Sequence, residues 1–278
     1  MAGYFATLAR DSTTGTQYFI TQGSSEVSGA LPDSTHLEAD FRLVGHMLHA
    51  ARNGCSCTIV RGNDTDICII LLAYLPTVLQ CNSSYKLLFD CGTGASRFMF
   101  NINHIGHCIG LERCRGLLFA YSLSGCDFTP SFFGVGKLKF FDLYTSNTLT
   151  EEDLKVFKDL SSGPTTMTDE QFNRIVKFTL AAYRTKGAAT CDLETARIQG
   201  ILSPLVDSFR QLPPTRSALY YHALRSAFVS GHLWGQADLF APEIPAFVDW
   251  GWEKVLDLED PNAVLLPTTY MVDNVRHF

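Results

Sequence analysis

Five carboxylates in the first half of the chain are spaced so that they can act together. Glu38 and Asp40 stand two residues apart, Asp64 and Asp66 form a second such pair, and Asp127 stands alone in "LSGCDFTPSFFGVGK". Carboxylate oxygens are hard ligands and suit Mg²⁺ or Mn²⁺. Four or five of them in one place repel one another strongly unless cations sit among them. Two such ions roughly 4 Å apart can activate water and stabilise the leaving oxygen of a phosphodiester. Each acid also has a plain structural role open to it. Glu38 can complete a capping box with Thr35, Asp40 can favour a helix dipole, and "NDTD" and Asp127 can be turn residues.

The elements that would carry these acids follow from the patterning. "DSTHLEADFRLVGHMLHAARNG" keeps Leu37, Phe41, Val44, Leu48 and Ala51 at helical spacing, which predicts one helix capped at Thr35 and stopped at Asn53-Gly54. "CSCTIVRG" predicts a strand ending at "NDTD", and "ICIILLAYL" a short buried helix. "YKLLFDCG" and "SRFMFNI" predict two more strands around a "GTGA" turn. "INHIGHCIGLERCRGLLFAYSLSG" predicts mostly helix, with a break at Gly106 or Gly110. Strands alternating with helices point to an α/β domain with a mostly parallel central sheet, and in such sheets sites form outside the carboxyl ends of the strands.

Residues 1–30 read as a strand or two with polar turns. Beyond about residue 145 the pattern becomes helical. "TLTEEDLKVFKDLSSG", "TDEQFNRIVKFTLAAYR", "DLETARIQGILSPLVDSFRQL" up to Pro204, and "TRSALYYHALRSAFVSGHLWGQA" read as helices, followed by a proline-punctuated tail from Phe240. The expected division is residues 1–148 as the α/β domain and 149–278 as a helical extension with an irregular tail.

The chain has 278 residues, 46% hydrophobic and 18% charged, which argues against disorder. Its net charge of −6 gives no global attraction to nucleic acid, so phosphate binding would need a local basic patch. The nine cysteines are odd in number, lack a Cys-x-x-Cys and sit largely in apolar runs, as expected of reduced thiols in an intracellular, nuclear or cytoplasmic protein. A zinc site from Cys55, Cys57, His46 and His49 is disfavoured because nothing in the spacing positions the histidines. His104, His107, His222 and His232 read as packing or surface residues, and Trp234, Trp250 and Trp252 as anchors of the tail. The N-terminus carries no secretory pattern, and Ile67–Leu79 is too short to span a bilayer. Gly-x-Ser-x-Gly and Walker-type motifs are absent.

Taken in order, "LEADFR", "NDTDI", "SGCDF" and "FFGVGKLKFFDL" resemble the flap endonuclease family, a branch of the PIN-like fold. That family carries Glu-x-Glu/Asp on a helix, Asp-x-Asp after a strand, Gly-x-Asp, and then a helix–two-turn–helix with Gly-x-Gly. The likeness is greatest to uncharacterised nuclease-like proteins found with mobile elements, whose tail resembles "LWGQAD", "WGWEKV" and "LLPTTY" here. The chain departs from the pattern at Leu37 and Phe41. It also lacks aspartates at the end of an obvious first strand, since Asp11, Glu26 and Asp33 are the only acids before Glu38.

The resemblance implies a PIN-like three-layer domain followed by an all-helical extension. It implies a metal-dependent nuclease acting on DNA (or RNA) through the phosphate backbone, with structure preference. Glu38, Asp40, Asp64, Asp66 and Asp127 would be both catalytic residues and ligands of one or two Mg²⁺ or Mn²⁺ ions. Gly134, Gly136, Lys137 and Lys139 would hold a phosphate backbone, in keeping with the close approach that glycines allow and the anion affinity of a helix N-terminus. Arg42 is placed either to touch phosphate or to pair with Asp40. The missing upstream acids define the alternative, a catalytically incomplete, nuclease-derived module for binding nucleic acid or protein. No membrane partner is expected.

Overall fold

Helix α1 (Ala39–Arg52) begins the well-packed part of the chain, with Phe41, Val44, Met47 and Leu48 buried as their spacing requires. The computed structural model describes residues 7–10, 17–20, 39–183, 192–203, 209–255 and 264–267. The proposed Thr35 cap and Glu38 lie outside them. Two compact units form. One holds residues up to Leu118 together with Leu233–Glu243, the other Phe119–His232 and the segment from Ile244 onward. The expected boundary after residue 148 lies within the second unit.

In the first unit, β1 (Thr7–Arg10) and β2 (Gln17–Ile20) pair antiparallel. Strand β3 (Cys57–Arg61) runs parallel to β4 (Lys86–Cys91), joined by the crossover helix α2 (Thr65–Cys81). Helix α2 is longer than its apolar run suggested, because it passes through Pro76 and closes only at Asn82. Strand β5 (Phe98–Asn101) is antiparallel to β4. The protein is thus mixed α/β, but its main sheet has three strands, in the order β3-β4-β5, with one parallel and one antiparallel pairing. The reason is length. Six residues, 92–97, separate β4 from β5, which suffices for a hairpin but not for the crossover of a dozen or more residues that a parallel return needs.

Thr58, Val60, Leu87 and Phe89 are buried on one sheet face, where Tyr85 donates its hydroxyl to the Met47 carbonyl at 3.3 Å. The strand register puts Ile59, Arg61, Leu88 and Asp90 on the opposite face, where Ile59 and Leu88 are half-buried. The following helical stretch breaks at Gly110, whose φ is +98°, while Gly106 stays within α3 (Ile102–Ile109). Helix α4 (Leu111–Cys114) ends the first part of this unit.

The second unit contains α5 (Leu117–Ser124), most of which lies in it, α6 (Lys137–Thr145), α7 (Glu151–Leu160), α8 (Asp169–Ala182), α9 (Leu193–Ile201) and α10 (Arg216–Phe228). Thr150 and Thr168 close reciprocal capping boxes with Asp153 and Gln171. An aromatic chain fills the core. Phe157 meets Phe119, Tyr144 and Phe178 at ring separations of 5.4, 5.2 and 4.8 Å. A second cluster joins Phe228 to Phe247, Trp250 and Trp252, so two of the tryptophans anchor the tail segment as read. The second half is not wholly helical, since β6 (Trp252–Val255) and β7 (Val264–Pro267) pair antiparallel.

Candidate functional site

The loop after β3 positions the central acids. Asp64 is the exposed N-cap of α2, and one of its carboxylate oxygens accepts the Asp66 amide hydrogen at 2.9 Å. A cap residue must leave the helix with extended backbone, and Asp64 does so at φ −86°, ψ 132°. Asp66 follows in the first turn, half-buried. Asp40 sits half-buried in the first turn of α1. Its carboxyl is held above the ordinary carboxylate range by burial and then by the negative charge of Asp64. These two carboxylates come from positions 24 apart in the chain, one in the first turn of α1 and the other at the start of α2. Arg42 lies on the same helix, where its charge joins burial in pushing His46 down to about 4.

Asp127 occupies the exposed tip of a tight turn in which the amides of Cys126 and Thr129 donate to each other's carbonyls, at 2.9 and 3.2 Å. That turn belongs to the second compact unit, whereas Asp40, Asp64 and Asp66 belong to the first. Among the described residues, no group of three or more His, Cys, Asp or Glu side chains is arranged to hold a metal ion. Glu38 falls outside the described residues.

The glycine-lysine motif builds the start of α6. Gly134 adopts φ +72°, a left-handed turn that favours glycine. Gly136 is the N-cap, in ordinary extended conformation, and no atom lies within 4 Å of where a Cβ would stand. Internal packing thus gives no reason for a glycine there, while an approaching ligand would benefit from one. No side chain caps α6 and no acid stands in its first turn; Lys137 and Lys139 stand there instead, against the helix dipole. The lysines also have internal partners. The Lys137 ammonium donates to the Tyr121 hydroxyl at 2.7 Å and lies 4.1 Å from that ring's centre, and Lys139 donates to the Gly134 carbonyl at 3.3 Å. Phe133 and Leu138 flank the turn with 52% and 77% of their surface exposed.

One charged cluster was not singled out from the sequence. Asp90, at the carboxyl end of β4, is buried and accepts from two arginines. Arg97 donates through Nε and Nη2 at 2.9 and 2.7 Å, and Arg61 through Nη1 at 2.8 Å. These bonds, those of Arg97 foremost, hold the Asp90 carboxyl at about 2 despite its burial. The signal was present: "KLLFDCG" ends a strand on an acid, as "CSCTIVRG" leads to Asp64. No family model matches the chain, and no curated protein or solved structure matches it either.

Proposed function

We propose that the chain is a metal-dependent nuclease of the flap-endonuclease-like, PIN-like kind, which hydrolyses phosphodiester bonds of DNA and prefers substrates by structure over sequence. The observation that carries this reading is the Asp40–Asp64 pair. Asp64 caps α2 at the strand-to-helix turn where α/β sheets place their sites, Asp40 stands in the first turn of α1, and the negative charge of Asp64 adds to burial in raising the Asp40 carboxyl, which a hard cation would relieve. Mg²⁺ in phosphate-handling sites typically takes one or two carboxylates and completes its shell with water and substrate phosphate, so an all-oxygen pair fits it. Asp40 and Asp64 would hold the ion, with Asp66 beside them; bound there, it would neutralise charge on the scissile phosphate. The part played by the chain itself is to aim Asp64 through the α2 cap and to set Asp40 against it from α1. The uncapped, lysine-bearing start of α6 supports contact with a phosphate backbone through amides and charge.

A second reading, a catalytically incomplete module that binds nucleic acid or protein, has its own support. The donors among the described residues stop short of a three-ligand group, and Asp127 stands on a turn tip of the other unit. The experiment that separates the two is cleavage of flapped, nicked and single-stranded DNA in Mn²⁺. Asp40→Asn and the double variant Asp64→Ala plus Asp66→Ala should each lose about a hundredfold or more in rate. Cleavage undiminished by these changes sinks the proposed site, and no cleavage by the intact chain, together with no Mn²⁺ binding, favours the module.

A further inference from the structure

Arg61, Asp90 and Arg97 form a cluster that the acid motifs do not use. The register of β3 and β4 sets Arg61 beside Asp90, and Arg97 comes from the turn that leads into β5. Two guanidinium groups share one carboxylate, so the cluster keeps a net charge of about +1. Asp90 is sunk, with 5% of its side chain exposed, while Arg61 and Arg97 keep 53% and 52%. The buried acid acts as a brace and the arginines as its exposed arms. Each guanidinium has five N–H donors. Arg97 spends Nε–H and one Nη2–H on Asp90, and Arg61 spends one Nη1–H on Asp90 and one Nη2–H on the Gly92 carbonyl at 3.3 Å. Among the described residues, three donors remain on each.

The surrounding loops are tied together. The Gly92 amide donates to the Asn63 side chain at 2.8 Å, tying the loop after β3 to the turn after β4. Gly92 itself has φ +80°, and a Cβ there would collide with the Ser96 carbonyl, so the turn is closed tightly. Asn63 immediately precedes Asp64. The arginine pair and the carboxylate proposed to hold a cation therefore sit on one braced loop pair within one unit.

We propose that Arg61 and Arg97, held by Asp90, form an anion site for a phosphate group of the nucleic-acid strand. Planar forks braced by a buried carboxylate lose little freedom on binding, and guanidinium geometry matches two phosphate oxygens at once. This inference rests on the nuclease reading for the identity of the strand, but its own chemistry needs no metal.

The test is fluorescence anisotropy of a labelled, short single-stranded deoxyoligonucleotide in EDTA, with inorganic pyrophosphate as competitor and an uncharged methylphosphonate oligonucleotide as control. Arg61→Gln and Arg97→Gln should each weaken binding about tenfold and reduce the salt slope by about one. Arg97→Lys, which keeps a charge against Asp90 but loses the fork, should show a smaller loss with the fold intact by circular dichroism. Unchanged affinity and salt slope in folded Gln variants overturns the proposal, and so does equal binding of the methylphosphonate strand. Arginine-dependent binding without Mn²⁺-dependent cleavage keeps the anion site and removes the nuclease reading. Cleavage that depends on Asp40, with binding indifferent to both arginines, does the reverse.

Discussion

Two sets of polar groups, one in each unit, are used in opposite ways. In the first, charges meet near strand ends and helix starts: the charge of Asp64 adds to burial in raising the Asp40 carboxyl, and Asp90 joins Arg61 and Arg97. In the second, the buried polar groups are turned inward, onto the backbone. His222 donates its Nε2 hydrogen to the Leu123 carbonyl at 2.7 Å, Ser122 donates to Ser226 at 3.0 Å, Ser230 to Leu160 at 3.1 Å and Arg225 to Gly251 at 2.8 Å. Such bonds satisfy carbonyls that helices and loops leave over, and their worth is in holding the fold. The difference teaches where chemistry resides. Like charges kept near one another cost stability that a cation would restore, whereas a side chain paired to a carbonyl contributes through the fold.

Four substitutions, in three tests, probe these groups and the core that holds them, taken from the largest expected effect to the smallest. Phe157→Ala removes the hub of the aromatic chain and should cost about 3–5 kcal/mol in denaturant unfolding. Phe133→Ala, on the exposed turn before α6, should change stability by less than about 0.5 kcal/mol. Equal losses at the two positions would show that the turn packs as tightly as the core.

The second concerns acid. Burial pushes His222 down to about 4 from an ordinary 6.5, while its bond to Leu123 opposes that shift. Below pH 6.5 the unfolded chain takes up a proton there and the folded chain does not. Stability from this residue is therefore complete above pH 6.5, falls as pH drops toward 4, and levels off below that. The loss amounts to about 3 kcal/mol. His222→Gln should flatten this part of the stability–pH curve; an unchanged slope would mean that the imidazole titrates normally in the fold.

The third is the smallest and the most telling. Asp64→Asn keeps a good helix cap, since Asn serves as well as Asp in that position, but removes the repulsion against Asp40. It should raise stability by a few tenths of a kcal/mol and return the Asp40 carboxyl toward its ordinary value, read by NMR titration. A destabilised variant would place Asp64 with the structural groups and erase the contrast between the units.

Much of the local structure was legible beforehand. The caps at Thr150 and Thr168, the strand–turn–helix around Asp64 and the glycine-led start of α6 depend on neighbours within a few residues, where short-range patterns are informative. The antiparallel return of β5 was also available, since six intervening residues exclude a parallel crossover. The alternation of strands and helices had suggested a parallel sheet instead, because strand counts say nothing of direction without connection lengths. That the Asp127 turn belongs to the second unit was not legible, because order along the chain does not report which unit a turn joins.

What the sequence determined by itself was the inventory: which acids stand at strand ends and helix starts, which glycines open a turn, and which faces are apolar. What only the tertiary structure decided was the pairing of charges. Asp90 meets Arg61 from 29 positions upstream and Arg97 from 7 downstream, while Asp40 lies where burial and then the charge of Asp64 raise its carboxyl. Charge interactions depend on separation in space and on the water removed between the groups. Both are set by strand register and burial, so the same acids read alike on paper until the fold makes one a brace and raises the carboxyl of another.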